Sequence, residues 1–390
     1  NPDFADAHSN LGAVLKDQSK LKEAELSFRK AIKLNPEYAE AYSNLGGILR
    51  DRGKLKEAEL SCRKALEIKT DLAEAHSNLG SVLKELGKSK EALSHLIKSF
   101  ELKPEEDDYI KSLTLHLMNL GNFELASKYL IKGNSDTCQS LYLGCLLSLD
   151  REEDFHKKYE EISRNKICNA DIGGIVEHAN IIYEKKYKSP FCNQSIQYVF
   201  LDKINEESFS SNDLENLIAF HKVSEIQERA QGLLTNGTQT SGNLLSLDYP
   251  FIKSIKMALE QKIEKYKQHF KNSDQGFINH WPQHYELRAW MISMKSGGFL
   301  KSHNHEYGWI TGSFYLQIPK YYHNDDSGKI AFSYQGPKYP TKNKKFNITI
   351  KKIETRDIII FPSSLYHHTI PFKSSEDRIC FVFDLVQRNQ

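Results

Sequence analysis

Three histidines and an arginine in the C-terminal part of the sequence are the residues whose types and spacing most directly suggest chemistry. His303 and His305 are separated by one residue, so on an extended segment their side chains point to the same side. His367 lies on a later segment, and Arg378 follows it. Imidazole nitrogens bind transition metals, and a guanidinium binds a carboxylate through two parallel hydrogen bonds. The pattern therefore predicts a non-haem iron site beside a site for a carboxylate.

The segments that must position these residues read as short strands. From about Tyr285, apolar and polar residues alternate, and Gly297-Gly298 then turns the chain. Six further β segments follow without helices between them: Trp309–Leu316, Lys329–Tyr334, Phe346–Ile350, Asp357–Phe361, His368–Phe372 and Ile379–Leu385. This order predicts a double-stranded β-helix, the jelly-roll barrel of cupins, whose mouth can hold a metal between facing strands.

The segment before the strands is less regular. Helical patterns cover Gly173–Lys186, Leu214–Leu233 and Pro250–Phe270, and they predict helices that flank the barrel. Residues 236–243, by contrast, are uncharged and rich in turn-forming types, which predicts a loop without a core of its own.

The first part of the chain repeats itself with a period of about 34 residues. The hexapeptide Ala-His/Tyr-Ser-Asn-Leu-Gly recurs at 7–12, 41–46 and 75–80, and Lys-Glu-Ala recurs at 22–24, 56–58 and 90–92. This is the pattern of tetratricopeptide repeats, in which small residues let paired helices approach closely. The sequence predicts an all-α superhelix with three clear repeats and one or two degenerate ones after them.

One asparagine stands before each Leu-Gly, at Asn10, Asn44 and Asn78. Here the chain resembles the superhelical repeats of O-GlcNAc transferases, in which a ladder of asparagines holds the backbone of an extended polypeptide. A primary amide suits this role because it offers both a donor and an acceptor to a peptide unit. The resemblance implies a protein or peptide partner in the groove of the repeats. The alternative is that these asparagines bond only to a neighbouring helix.

Composition limits the remaining possibilities. The chain carries 53 lysines and arginines against 51 aspartates and glutamates, so its overall charge gives no reason to expect a nucleic-acid partner. We expect no membrane span, because no apolar run is long enough, and the six scattered cysteines favour a reduced, cytoplasmic setting. The predicted domains are the repeats at 1–163, a helical connector at 164–195 and the barrel with its flanking helices at 196–390.

Four motifs in the barrel segment resemble a bacterial group of 2-oxoglutarate- and Fe(II)-dependent oxygenases. They occur in the order and with gaps similar to those of the group, at residues 303–305, 311–316, 360–367 and 376–379. The resemblance implies Fe(II) and 2-oxoglutarate as cofactors, with His303 and His367 as iron ligands. It also implies Arg378 as the residue that binds the distal carboxylate of 2-oxoglutarate.

Some roles stay open at this point. The third iron ligand is His305, Glu306 or a water molecule, and strand alternation favours His305 because Glu306 points away from His303. Ser293 and Tyr315 are candidate hydroxyl donors to 2-oxoglutarate, and Thr311 is another. The alternative for Arg378 is a surface arginine paired with one of the two acidic residues before it, at 376 and 377.

Together these features predict a 2-oxoglutarate-dependent dioxygenase of the hydroxylase type, whose repeats present a protein or peptide substrate. One alternative is a non-catalytic tetratricopeptide scaffold with a degenerate cupin domain. The absence of an acidic residue from the usual iron triad favours that reading. Another alternative is a cupin dioxygenase that holds its metal with three histidines and does not need Arg378 for a cosubstrate.

Overall fold

The chain forms two compact units, residues Asn1–Leu149 and Asp150–Gln390, in a computed structural model. The structure describes residues 4–18, 20–223, 228–229, 232–319 and 326–388. The first unit is helical, and the second contains antiparallel β-sheets with helices packed beside them, as the sequence predicts. Within the described ranges, no helix is both long enough and apolar enough to cross a membrane.

The first unit consists of antiparallel helix pairs. The helices are α1 (Ala5–Asp17), α2 (Leu21–Leu34), α3 (Ala39–Asp51), α4 (Leu55–Ile68), α5 (Ala73–Glu85), α6 (Ser89–Leu102), α7 (Asp107–Asn119), α8 (Phe123–Leu130) and α9 (Asp136–Ser148). Each pair from α1 to α8 corresponds to one repeat, so the three clear repeats and a fourth, degenerate one are present. A positive-φ glycine, as at Gly53 (φ 74°), turns the chain between the two helices of a repeat.

The Leu-Gly motif has a packing cause. A Cβ atom added to Gly46 of α3 would lie 2.3 Å from the Sγ of Cys62 in α4, and one added to Gly80 of α5 would lie 2.7 Å from Leu96 in α6. Ala58, fully buried on α4, provides the small surface on the facing helix. Each repeat therefore has small residues at the point where its two helices are in contact.

The second unit begins with α10 (Glu152–Arg164) and α11 (Ala170–Ile182), followed later by α12 (Ser211–Val223), α13 (Pro250–His269) and the short α14 (Gly276–Asn279). Its strands are β1 (Phe200–Lys203), β2 (Glu228–Arg229), β3 (Leu234–Thr240), β4 (Tyr285–Leu300), β5 (Ile310–Gln317), β6 (Ile330–Ser333), β7 (Ile348–Lys351), β8 (Asp357–Pro362), β9 (Tyr366–Thr369) and β10 (Arg378–Gln387).

Two antiparallel sheets make up the β region. The larger has the strand order β1-β8-β5-β10-β4-β3-β2, and the smaller has the order β7-β6-β9. All seven segments predicted as strands from residue 285 onward are strands, although β9 begins two residues earlier than predicted and thereby includes His367. The fold is the predicted two-sheet barrel with flanking helices.

Strand β10 shows how the larger sheet separates two cores. Ile379, Phe381 and Phe383 face a core shared with α13, whereas Cys380 and Val382 face a second core shared with the smaller sheet. Because side chains alternate along a strand, Arg378 and Asp384 belong to this second, inner face. The inner face is the surface on which the predicted site lies.

Two features differ from the sequence-based expectation. Residues 236–243 were predicted as a loop, but β3 extends to Thr240 and pairs with β4. The compact unit that holds the sheets begins at Asp150, so α10 and α11 group with the sheets rather than with the repeats. Tyr159 of α10, for example, donates its hydroxyl to the carbonyl of Lys188 at 2.9 Å. The domain bounds 1–163, 164–195 and 196–390 stay predictions.

Candidate metal centre

The three histidines singled out in the sequence lie together at one end of the inner face. His303 precedes β5 and forms a two-way backbone bridge with His367 of β9, with N···O distances of 3.1 and 2.9 Å. The ring centroids of His303 and His367 are 4.4 Å apart, and His305 lies 5.1 and 5.2 Å from them. One ring nitrogen of each histidine lies within 4.8 Å of the others, a spacing suited to one metal ion.

Hydrogen bonds determine which nitrogen of each ring is free. The Nδ1 of His303 donates to the carbonyl of Lys301 at 2.8 Å, and that of His367 donates to the carbonyl of Leu365 at 3.2 Å. The Nδ1 of His305 donates to the carboxylate of Asp384 at 2.7 Å. Carbonyl and carboxylate oxygens only accept, so each Nδ1 carries a proton, and a neutral ring in this tautomer keeps the lone pair on its Nε2. Three histidines in this tautomer form a ligand set for a transition metal.

Burial keeps two of these rings neutral. Burial, and secondarily the neighbouring His305, lowers the pKa of His303 to about 3. The pKa of His367 is also lowered, first by burial and then by the other two histidines. Neutral imidazole is the form that binds a metal, so His303 and His367 need not lose a proton before they bind one.

The sequence did not identify the residues that hold His305. Asp384 of β10 contacts the His305 Nδ1 with both oxygens, at 2.7 and 2.9 Å, and accepts a hydrogen bond from Thr311 at 2.7 Å. Thr311 is also hydrogen-bonded to Ser363 at 2.7 Å. The indole of Trp290 stacks on the His305 ring, with centroids 5.8 Å apart and planes 19° apart. The sequence signal for Asp384 is its position as a single acidic residue between the apolar Phe383 and Leu385 in a predicted strand.

Glu306, the other candidate ligand, does not join the group of His303, His305 and His367. Its charge acts instead on Asp171 of α11, whose pKa is raised first by burial and then by Glu306. Asn304, which alternates with the two histidines, donates to Asp171 at 3.4 Å. Alternation along residues 303–306 therefore directs imidazoles to one side and the polar residues between them toward α11.

Arg378 lies on the same inner face and is 2% exposed. Its Nη1 has only sulfur neighbours at 3.9 Å, the Sδ of Met294 and the Sγ of Cys380, and its Nε has no hydrogen-bond partner. Among the described residues, no carboxylate forms an ion pair with it, so the alternative of a surface arginine paired with an adjacent acid is wrong. A guanidinium stays charged even when buried, and an unpaired buried charge costs several kcal/mol. Such a guanidinium is suited to an anionic ligand.

Tyr315 accompanies Arg378, and Ser293 does not. The guanidinium lies 5.1 Å from the centre of the Tyr315 ring, and the buried Tyr315 hydroxyl has no hydrogen-bond partner in the described ranges. Ser293 pairs with Ile379 and shares the side of β4 that carries Met291, which belongs to the outer core. It therefore lies on the face of the larger sheet opposite Arg378.

Cross-strand pairs give the order of residues along the inner face. Asp384 pairs with Thr311 at the histidine end, Val382 pairs with Ser313 in the middle, and Cys380 pairs with Tyr315 near Arg378. The histidine group and the guanidinium thus occupy the two ends of one face. An elongated ligand that binds a metal through one end and carries a carboxylate at the other matches this order.

The residues present fit the two cofactors that the sequence implies. Three free Nε2 lone pairs are suited to Fe(II), although imidazole alone does not distinguish it from Zn(II), Cu(II) or Ni(II). The unpaired guanidinium and the unpaired Tyr315 hydroxyl are suited to a carboxylate such as the distal one of 2-oxoglutarate.

Comparison with known families agrees with both halves of this description. Residues 288–384 match the family described as "Putative 2OG-Fe(II) oxygenase". Residues 5–38 and 37–105 match the tetratricopeptide repeat. The chain joins tetratricopeptide repeats to a 2OG-Fe(II) oxygenase-like domain. The oxygenase-like match begins in β4 and ends at Asp384, so it contains the three histidines, Arg378 and Tyr315.

Whole-protein comparisons add little. No curated protein matches the chain. Among solved structures, Pseudomonas aeruginosa pilF matches at 20% identity with a TM-score of 0.37, over 42% of this chain and 77% of its own. MamA matches at 26% identity with a TM-score of 0.31, over 34% of this chain and 77% of its own.

The asparagines of the repeats occupy equivalent positions on α1, α3 and α5. Asn10 is exposed, and Asn44 and Asn78 are half-buried. The Nδ2 of Asn78 donates to the carbonyl and to the hydroxyl of Ser43, each at 3.1 Å. Asn78 therefore bonds to the preceding repeat, as the alternative of a bond to a neighbouring helix predicts. Both of these bonds to Ser43 use the Nδ2 of Asn78 and not its amide oxygen.

Proposed function

We propose that the protein is an Fe(II)- and 2-oxoglutarate-dependent oxygenase of the hydroxylase type, with a protein or peptide substrate bound by its repeats. The observation that carries the proposal is Arg378, a buried cation that has no carboxylate partner among the described residues and lies on the face that also holds the histidines. A scaffold has no use for an unpaired buried charge, and a three-histidine dioxygenase has no cosubstrate that would pair with it.

Each residue has a defined task in this proposal. His303, His305 and His367 hold the iron through Nε2, since their Nδ1 protons are engaged elsewhere. Arg378 and Tyr315 bind the distal carboxylate of 2-oxoglutarate. The inner core around them, which includes Phe361 at 4.7 Å from the His367 ring, excludes water. Iron with 2-oxoglutarate, when bound, supplies the activation of oxygen for hydroxylation of a substrate carbon.

The repeats are proposed to raise the concentration of the substrate at the oxygenase domain. Tetratricopeptide repeats generally bind proteins, and the asparagine positions on α1, α3 and α5 are equivalent from repeat to repeat. We also propose a cytoplasmic location, since all six cysteines are free and five of them are buried.

The decisive experiment is anaerobic addition of Fe(II) and then 2-oxoglutarate to the full chain, followed in the visible region. The proposed function predicts a weak charge-transfer band that requires both additions. His303→Ala and His367→Ala are expected to lose iron and the band together, because each removes one of three ligands. Tight iron binding without the band would indicate a three-histidine cupin dioxygenase. Absence of iron binding would indicate a scaffold.

A further inference from the structure

The iron triad typical of 2-oxoglutarate oxygenases contains two histidines and one carboxylate, whereas this chain brings three histidines together. Three neutral imidazoles leave the charge of a divalent metal uncompensated by its ligands. The carboxylate of Asp384 lies one residue farther from the metal position, and it bonds to His305, the ring that occupies the position of the acid.

We propose that Asp384 supplies, through His305, the negative charge that a carboxylate ligand supplies in the usual triad. The inference rests on the proposed metal site and makes Asp384 a positioning residue rather than a ligand. A carboxylate that accepts the Nδ1 proton of a ligating histidine fixes the ring and raises the basicity of its Nε2. His303 and His367 lack this arrangement, because their Nδ1 atoms donate to backbone carbonyls.

The surroundings of Asp384 direct its charge toward His305. Within the described part of the chain, its carboxylate contacts the His305 ring and forms no ion pair with a lysine or arginine. The side chains of His305 and Asp384 are 8% and 13% exposed, so water screens their interaction little. The Thr311 hydroxyl orients the Oδ1 atom at 2.7 Å without neutralising the carboxylate. Gly308 lets this network close, because a Cβ atom there would lie 2.4 Å from the Ser363 hydroxyl.

The test measures Co(II) affinity of the full chain without 2-oxoglutarate, by titration of the visible Co(II) spectrum. Asp384→Asn keeps the shape of the side chain and removes its charge, and we expect it to weaken Co(II) binding about ten- to a hundredfold. Asp384→Glu keeps the charge and is expected to recover part of the affinity. Asp357→Asn is the matched control, since Asp357 is a buried carboxylate of the same sheet that bonds to the backbone of Glu354.

A second pair of variants separates charge supply from simple support of the fold. In the His305→Asp background the acid is a direct ligand, and Asp384 then places a second carboxylate beside it. Because the imidazole that connects Asp384 to the metal is then missing, Asp384→Asn is expected to weaken Co(II) binding much less in this background than in the native chain. A purely structural role predicts a loss of equal size in both backgrounds.

The outcomes also separate this inference from the proposed function. Unchanged Co(II) affinity in Asp384→Asn, or a loss of equal size in the His305→Asp background, overturns the role of Asp384 and leaves the oxygenase proposal standing. A loss that is much smaller in the His305→Asp background than in the native chain supports the role of Asp384 even if Fe(II) and 2-oxoglutarate give no charge-transfer band. A native chain that binds no Co(II) overturns both.

Discussion

Replacement of Arg378 by methionine tests whether this arginine serves the fold or a ligand. Methionine has a similar length and no charge, and its sulfur suits a site lined by Met294 and Cys380. In the native chain the Arg378 side chain is 2% exposed and forms no ion pair with any residue that the structure describes, so its burial opposes folding. We therefore expect Arg378→Met to raise the free energy of unfolding of the second unit by about 1–3 kcal/mol without 2-oxoglutarate.

The effect of the ligand is expected to have the opposite sign. At a 2-oxoglutarate concentration of about 100 times Kd, the native chain gains about 2.7 kcal/mol of stability, and the variant gains none. The measurement is urea unfolding in anaerobic buffer with saturating Mn(II), followed by tryptophan fluorescence. All three tryptophans, Trp281, Trp290 and Trp309, lie in the second unit, so the signal reports on that unit alone.

Arg356 provides the matched control. Its guanidinium donates to the carbonyls of Ile204 and Phe209 and to the Ser211 hydroxyl, so it serves the fold. Arg356→Met is expected to lower the free energy of unfolding by about 1.5–4.5 kcal/mol, at about 0.5–1.5 kcal/mol for each of the three lost hydrogen bonds, and to keep the gain from 2-oxoglutarate. The ligand-binding role of Arg378 is refuted if Arg378→Met behaves in the same way as Arg356→Met.

Three further predictions concern other parts of the chain. Burial raises the pKa of Glu177 to about 8, so the stability that its protonated form contributes is lost as pH rises from about 4.5 to 8. The free energy of unfolding of Glu177→Gln should therefore increase relative to that of the native chain by up to about 1.4 kcal/mol per pH unit in that window. Urea unfolding at several pH values measures this difference, and a difference that does not change with pH would contradict the raised pKa. Gly46→Ala should destabilise the repeat unit by about 1–3 kcal/mol, because the new Cβ atom would overlap the Cys62 sulfur. Gly47→Ala, whose Cβ atom would make ordinary contacts at 3.6 Å, should be neutral or stabilise α3 by up to about 1 kcal/mol. Thermal melting followed by circular dichroism measures both variants, and equal effects would refute the packing argument. Replacing Asn10, Asn44 and Asn78 together by alanine should weaken turnover of a protein substrate but not the uncoupled decay of 2-oxoglutarate. Ser43→Ala is the control for the lost bond between Asn78 and Ser43. Equal activity of the native chain and the triple variant on a protein substrate would refute the proposal that these asparagines bind a peptide.

Much of the metal group was predictable because it depends on local geometry. Alternation along a strand placed His303 and His305 on one side and Glu306 on the other, and the structure keeps this arrangement. The same alternation places Ser293 with Met291 on the outer face, away from Arg378. The sequence therefore already contained the reason why Ser293 does not lie beside the proposed cosubstrate site. Tyr315, by contrast, shares the inner face with Arg378.

What escaped prediction depends on contacts between distant parts of the chain. Asp384 and His305 are 79 residues apart, and their bond follows from the pairing of β10 with β5, which local patterns do not give. Strand β3 was read as a loop because Asn236 and Gly237 favour turns. Its pairing with β4 overrides that preference, as tertiary contacts commonly do in strands.

The backbone bridge between His303 and His367 links occupancy of the site to local opening of the chain. Their two amide hydrogens are bonded across the gap between the segment before β5 and strand β9, and the same two residues would share one metal ion. A shared ion ties the two segments together at this bridge, so exchange of both amide protons with solvent is expected to slow when the metal binds. Hydrogen–deuterium exchange at these two positions therefore reports metal occupancy without any turnover.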